Sequence, residues 1–268
     1  SGGLLDLARL RIGAGSRLEV DSAGTATVSI DQELRNDGII RTGSAGGSPS
    51  HLVLNATQGD NPWNLDGTNE QGQILAEHGD VMFNSGGMTD AFSGTLTVGA
   101  GYRFHFDNNW SNNTGHWNLN GGSSSATRAR ITGGAVNFTG GTIDADDAGT
   151  SIAHIDVPIT IGGGTVTVGA ADDLVFNAAT SFTGGVYNLV SGGEIEVNGP
   201  ATFSGTTTFN MVGASVSTGL VELNSSSSWA GNHTFNQGAV QQNSVASTTA
   251  NTTINAGEFD LDGGAGNG

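Results

Sequence analysis

The chain has 268 residues, with 45 glycines, 4 prolines and no cysteine. That length suits one elongated domain or two ordinary ones, and the missing cysteine excludes disulfides, zinc–thiolate sites and a cysteine nucleophile. The formal net charge is −17 and all 8 basic residues are arginine, a balance that repels phosphate backbones and anionic lipid and so excludes nucleic acid and membrane surfaces as partners.

The glycine content exceeds that of an ordinary globular domain, yet no Gly-X-Y period of a collagen is present. No run approaches the ~18 apolar residues of a membrane span. The first residue is Ser1 and the last six are Gly263-Gly264-Ala265-Gly266-Asn267-Gly268, so the chain reads as a mature or excised segment of something longer.

From the N-terminus, Leu4-Leu5-Asp6-Leu7 and the following residues run into Ile12-Gly13-Ala14-Gly15-Ser16-Arg17-Leu18-Glu19-Val20. That phrase has the form strand, turn, strand, and it is echoed by Val98-Gly99-Ala100-Gly101-Tyr102-Arg103-Phe104-His105-Phe106. Glu33 to Thr42 predicts two short strands around an Asn-Asp-Gly turn. Gly43 to Ser50 is a polar loop. From His51 a second set of short apolar runs begins, including His51–Asn55, Gly79–Gly87 and Ala91–Val98.

The segment Gly94–Gly122 then repeats. Shifted by 70 residues it lies over Gly164–Gly192 without a gap, with Gly94/Gly164, Val98/Val168, Phe106/Phe176 and Leu119/Leu189 identical. A weaker copy begins at Gly24 and extends to about Ser50. Trp63-Asn64-Leu65 also resembles Trp117-Asn118-Leu119, and Tyr187-Asn188-Leu189 resembles both. In the C-terminal half Phe138, Phe182, Phe203, Phe235 and Ile254 recur in related Ser/Thr-Phe/Ile-x-x-Gly settings. These spacings share a sub-unit of roughly 18–24 residues, a length typical of solenoid repeats.

Each sub-unit carries two or three runs with alternate apolar side chains, such as Thr165-Val166-Thr167-Val168, Glu194-Ile195-Glu196-Val197 and Glu258-Phe259-Asp260-Leu261. Alternation with β-branched residues predicts half-buried strands, and the intervening Gly and Asn supply corners. The fold class is all-β: a parallel β-helix, or β-solenoid, with irregular corner insertions, spanning residues 1–268 as one elongated domain. About twelve coils at ~4.8 Å each would make a rod of roughly 60 Å. Stacked β-sandwich domains are the alternative.

Phrases such as GTLTVGAG, ELRNDGIIRT, GGTVTVGAADDL and NGPATFSGTTTFN resemble the passenger regions of bacterial autotransporters and filamentous-haemagglutinin-like adhesins. The resemblance covers most of the chain and is one of composition and rhythm. It implies a right-handed β-helix, secreted to the cell surface and serving as stalk, adhesin or fibre, without catalysis. Self-association or continuation along the fibre axis follows from strand edges at the ends. Glycans or a cell surface are the other expected partners.

Two residue groups stand out as candidate sites. Asp144, Asp146, Asp147, Asp172 and Asp173 are the densest carboxylates, and neighbouring coils bringing them together would form a Ca²⁺ site, since calcium takes six to eight oxygens. The competing reading is a set of solvated acidic corners. The second group is the loop around Trp110, with Tyr102, Asn108 and Asn109, as a carbohydrate or surface contact. Trp110 faces Thr180 in the repeat copy, whereas Trp63, Trp117 and Tyr187 read as one internal stack. A polysaccharide lyase or hydrolase on the same rod would need paired carboxylates with a basic group on one face, for instance Asp146 and Asp147 with Arg128 and Arg130. The six histidines form no metal-binding pair.

Overall fold

A computed structural model describes residues 4–43, 48–57, 63–64, 72–85, 91–146, 149–211 and 219–260. Among them there is no helix, and parallel strands stack as a β-solenoid of about ten turns. Every strand pairing is parallel, and partners come from successive turns.

One turn shows how the sequence makes the coil. Ile152–Ile155 lies on a first face, Ile159–Ile161 on a second and Thr165–Val168 on a third. The next turn repeats this with Asp173–Phe176 and then Thr180–Leu189, whose two halves cover the second and third faces. The first face belongs to a 13-stranded sheet, and the other two are joined in a 16-stranded sheet by strands that bend across the corner, Thr180–Leu189 and Ala201–Met211. Gly141 and Gly164 sit at the corner leading into the third face in successive turns, with φ of 81° and 80°. That left-handed conformation is cheap only for glycine.

The 70-residue period is three turns. Thr95, His116, Thr142 and Thr165 are successive in-register partners on the third face. The weak copy at Gly24 is different, because Gly24–Asn36 starts on the first face. It shares the strand rhythm of Thr95–Val98 but not its place in the coil.

The alternation predicted from sequence is what fills the lumen. In Glu194–Val197, Ile195 and Val197 are fully buried while the glutamates face out. The column Leu96, Trp117, Ile143, Val166, Tyr187, Phe209 and Phe235 runs up the inside of the third face. All seven are buried. Rings that share a column lie flat on one another: Phe182, Phe203 and Trp229 stack at 4.6 and 3.7 Å, within 9° and 6° of parallel. Such contacts add to the burial of apolar surface that drives folding.

Candidate functional site

The outer side of the first face carries a largely polar strip, built because the outward positions of successive strands fall one above another. Its lower part is a series of ion pairs. Asp80 accepts from Arg103 Nε at 2.9 Å and from the Arg103 backbone N–H at 3.0 Å. The Asp80 backbone N–H donates to His51 Nδ1 at 3.0 Å. His105 sits between Thr132 Oγ1 and Asp107 Oδ1, each at 2.9 Å. Burial pushes the Asp107 carboxyl up, but the backbone N–H of Ser85 and the His105 ring outweigh it and hold the group below its usual value.

One turn higher, Arg130 donates to Asp156 Oδ2 through Nε at 2.9 Å and Nη2 at 2.7 Å. Asn177 donates to the other oxygen at 2.6 Å, and His154 lies 3.7 Å from it. Burial raises the Asp156 carboxyl; the bonds from His154, Asn177 and Arg130 overcome this and place it well below the ordinary carboxylate range.

Above Asp156 the strip changes character. Asp173 lies opposite Glu194, and Glu196 opposite Glu222. No Lys or Arg follows Arg130 in the sequence, so none of this half sits between these carboxylates. Burial first, then the neighbouring Asp173 and Glu222, pushes Glu194 up to about 7 from 4.5. Asp173 is raised by burial and by Glu196. Beside this acidic column runs an amide ladder: Asn198 donates to Asn177 at 3.0 Å, Asn224 to Asn198 at 3.1 Å, and Asn243 to Asn224 at 2.8 Å.

The residues singled out from sequence are only partly brought together. Asp146 and Asp172 do converge: a Cβ on Gly169 would run into a carboxylate oxygen of each. Asp172 is fully buried and accepts from the Ser151 backbone N–H at 2.6 Å. Asp144 faces outward on the third face and Asp173 on the first, so they stand on different sides of the coil. Asp147 lies outside the described residues. Among the described residues no group of three or more His, Asp or Glu is arranged to hold a metal ion.

The Trp110 expectation is corrected. Its side chain is 1% exposed, and its ring packs against Phe92 at 5.0 Å, Phe106 at 5.7 Å and Phe104 at 5.8 Å. It turns inward because it begins a second-face strand at a position paired with Val136. A sugar ring therefore has no access to its face. Asn108 and Asn109 are exposed at the corner and Tyr102 is half-buried; Asn109 Oδ1 accepts from the Ala135 backbone N–H at 2.9 Å. Trp63, Trp117 and Tyr187 are all internal, as read from sequence. Trp117 and Tyr187 share a column, while Trp63 pairs with Leu34 on another.

The hydrolase arrangement is also not assembled around Arg130, which is committed to Asp156; Arg128 donates to the Ser125 carbonyl. Sequence reasoning missed the ion-paired strip. Its partners are separated by 23 residues for Asp80–Arg103 and 26 for Arg130–Asp156. Each spacing is about one turn, so opposite charges at that offset were the available signal.

The fold and this surface define a class, a parallel β-solenoid repeat protein. No protein-family model, no curated protein and no solved structure matches the chain.

Proposed function

We propose that this chain is a structural, non-catalytic rod segment of an extracellular bacterial surface fibre. One observation carries the reading: in-register parallel columns run from the first turn to the last, with amide and aromatic ladders still in place in the final turns. Repetition of this kind makes a stiff stack in which each turn contacts only its neighbours. The resemblance of GTLTVGAG and NGPATFSGTTTFN to autotransporter and haemagglutinin-like passengers supports a secreted, surface-bound setting.

The test is immunogold electron microscopy of intact producing cells, with an antibody raised against the purified chain. Gold along surface filaments of unpermeabilised cells is the expected result. Label that appears only after permeabilisation overturns the reading.

A further inference from the structure

The third face differs from the first in both charge and order. From Val157 to Asp260 there is no Lys or Arg, and every Asp and Glu except Asp172 lies in a first-face strand. A chain of net charge −17 thus confines its charge to one face over these turns.

Eight successive strands, from Thr95–Val98 to Asn251–Ile254, pair in register on the third face. Their outward residues form two ranks. The first holds Thr95, Thr142, Thr165, Thr208, Thr234 and Thr253, with His116 and Val186 on the remaining rungs. The second, two residues further along each rung, holds Thr97, Thr167, Asn188, Asn210, Asn236 and Asn255, with Asn118 and Asp144 on the others. Asp144 is the one carboxylate in the two ranks, and Asp146 lies at the corner beyond it.

The second rank is itself hydrogen-bonded. Asn210 donates to Asn188 at 2.9 Å, Asn236 to Asn210 at 2.6 Å and Asn255 to Asn236 at 2.7 Å. Each of these donors spends one N–H on the ladder and keeps a second. Rungs repeat every ~4.8 Å, and the two ranks stand ~6.6 Å apart.

We infer that this face docks the same face of a second copy, so that two rods lie side by side and parallel about a two-fold axis along their length. The pairing goes beyond the rod reading and does not depend on where the chain resides.

Three features select this occupant. The first is charge: contact through the third face keeps the first-face carboxylates of both copies outside, whereas contact through the first face sets acid against acid. The second is period. A partner engages every rung only if its own rungs have the same spacing, and a second copy has it. The two-fold sets the threonine rank of one copy against the asparagine rank of the other, in the reciprocal manner of an isologous interface. The spare amide N–H groups then meet threonine hydroxyls. The third is area. Eight rungs stand ~38 Å tall and a four-residue strand with its corner residues is ~20 Å wide, which gives roughly 700 Å². A standard interface takes about 800 Å² from each partner.

Sedimentation velocity and negative-stain microscopy of the full chain test this across a concentration series. The native chain forms pairs of rods lying side by side. Added salt favours the pairs, because it screens the repulsion between two acidic copies. Thr165→Glu and Thr167→Arg each place a charge in the middle of the face. Both side chains point outward and are half-buried, so circular dichroism of each variant stays native. Each variant alone needs at least about tenfold more protein to pair. The two-fold sets position 165 of one copy against position 167 of the other. An equal mixture of the two variants therefore restores the pair, and so does Thr165→Glu/Thr167→Arg in a single chain.

Single rods at every concentration overturn the inference. So does pairing that neither single variant weakens, which means contact through another face. Failure of both the mixture and the double variant to pair overturns the parallel two-fold. Single rods that a neutral polysaccharide matrix retains, and that Thr165→Glu releases, mean that a glycan occupies the face instead. Each of these outcomes leaves the surface-fibre reading to the immunogold result.

Discussion

The lower and upper stretches of the stack solve the same packing problem differently. In the lower stretch the large rings come from different columns and cross one another. Trp63 and Phe83 cross at 87°, Phe83 and Phe104 at 62°, and Phe106 and Trp110 at 67°. In the upper stretch rings come from one column and lie parallel, as Tyr187, Phe209 and Phe235 do at 4.7 and 4.9 Å. The difference traces to register: Tyr187, Phe209 and Phe235 are successive in-register partners, as are Phe182, Phe203 and Trp229, so rings of one column lie on one another.

The outer surface divides at the same level. Below, arginines neutralise Asp80 and Asp156; above, carboxylates stack on carboxylates. Regularity in the upper stretch therefore stabilises the inside while it aligns like charges outside.

The contrast is broken most strongly from within. Phe203→Ala removes the middle ring of the Phe182–Phe203–Trp229 column and costs about 3–5 kcal/mol. In a quasi-one-dimensional stack the loss is local, so urea denaturation followed by hydrogen exchange shows the upper turns opening first while the lower turns stay protected. A single cooperative transition in both stretches would sink that expectation.

The ion-paired region is next. Arg130→Ala leaves Asp156 half-buried with one fewer charged partner and costs about 1–2 kcal/mol at neutral pH. Asp156 has a depressed pKa when folded, so its contribution is present above the unfolded value and is lost as pH falls through the folded one. Asp156→Asn removes that acid limb, which thermal melts between neutral pH and about pH 2 would reveal.

Glu194 has the opposite sign. Its folded pKa is raised to about 7, so the folded chain holds a proton that the unfolded chain has released, and stability falls as pH rises from about 4.5 to about 7. Glu194→Gln removes the slope and raises stability at pH 8 by about 1 kcal/mol, discounted for partial solvent screening. Equal pH profiles for variant and parent would contradict the acidic-column picture.

The smallest effect is a backbone one. Ala171 has φ of 62° where the equivalent corners carry Gly101 and Gly192, both at 83°. Ala171→Gly relieves a left-handed alanine and stabilises by about 0.5–1 kcal/mol, net of the greater freedom of glycine when unfolded. A lower melting temperature for this variant would refute the strain.

Much of the architecture was legible in the sequence, because the side-chain period of two survives in nearly every strand. The 70-residue repeat marked whole turns, since Thr95 and Thr165 occupy the same place three turns apart. Face assignment was not legible. Gly79–Gly87 resembles Gly133–Gly141 in sequence once one residue slips, yet Val81–Asn84 lies on the first face and Val136–Phe138 on the second. All three faces use the same alternation, so texture alone does not tell them apart.

The Trp110 reading failed for a related reason. Trp110 looked exceptional because it faced Thr180 in the copy, but Thr180 is itself buried. The repeat preserved the inward direction while the residue changed. The acidic corners converged only where two turns met around Gly169, and opposite charges one turn apart formed pairs that no local motif displays.

The stacking of turns also sets how the chain would yield under load. Its first and last strands lie at opposite ends of the stack, so a pull on the two termini peels one end turn at a time instead of shearing all strands together. Each detached turn of about 20 residues lengthens the tether by roughly 60–70 Å while removing only ~4.8 Å of rod. A stalk built this way would absorb a sudden tug as a series of short, recoverable steps.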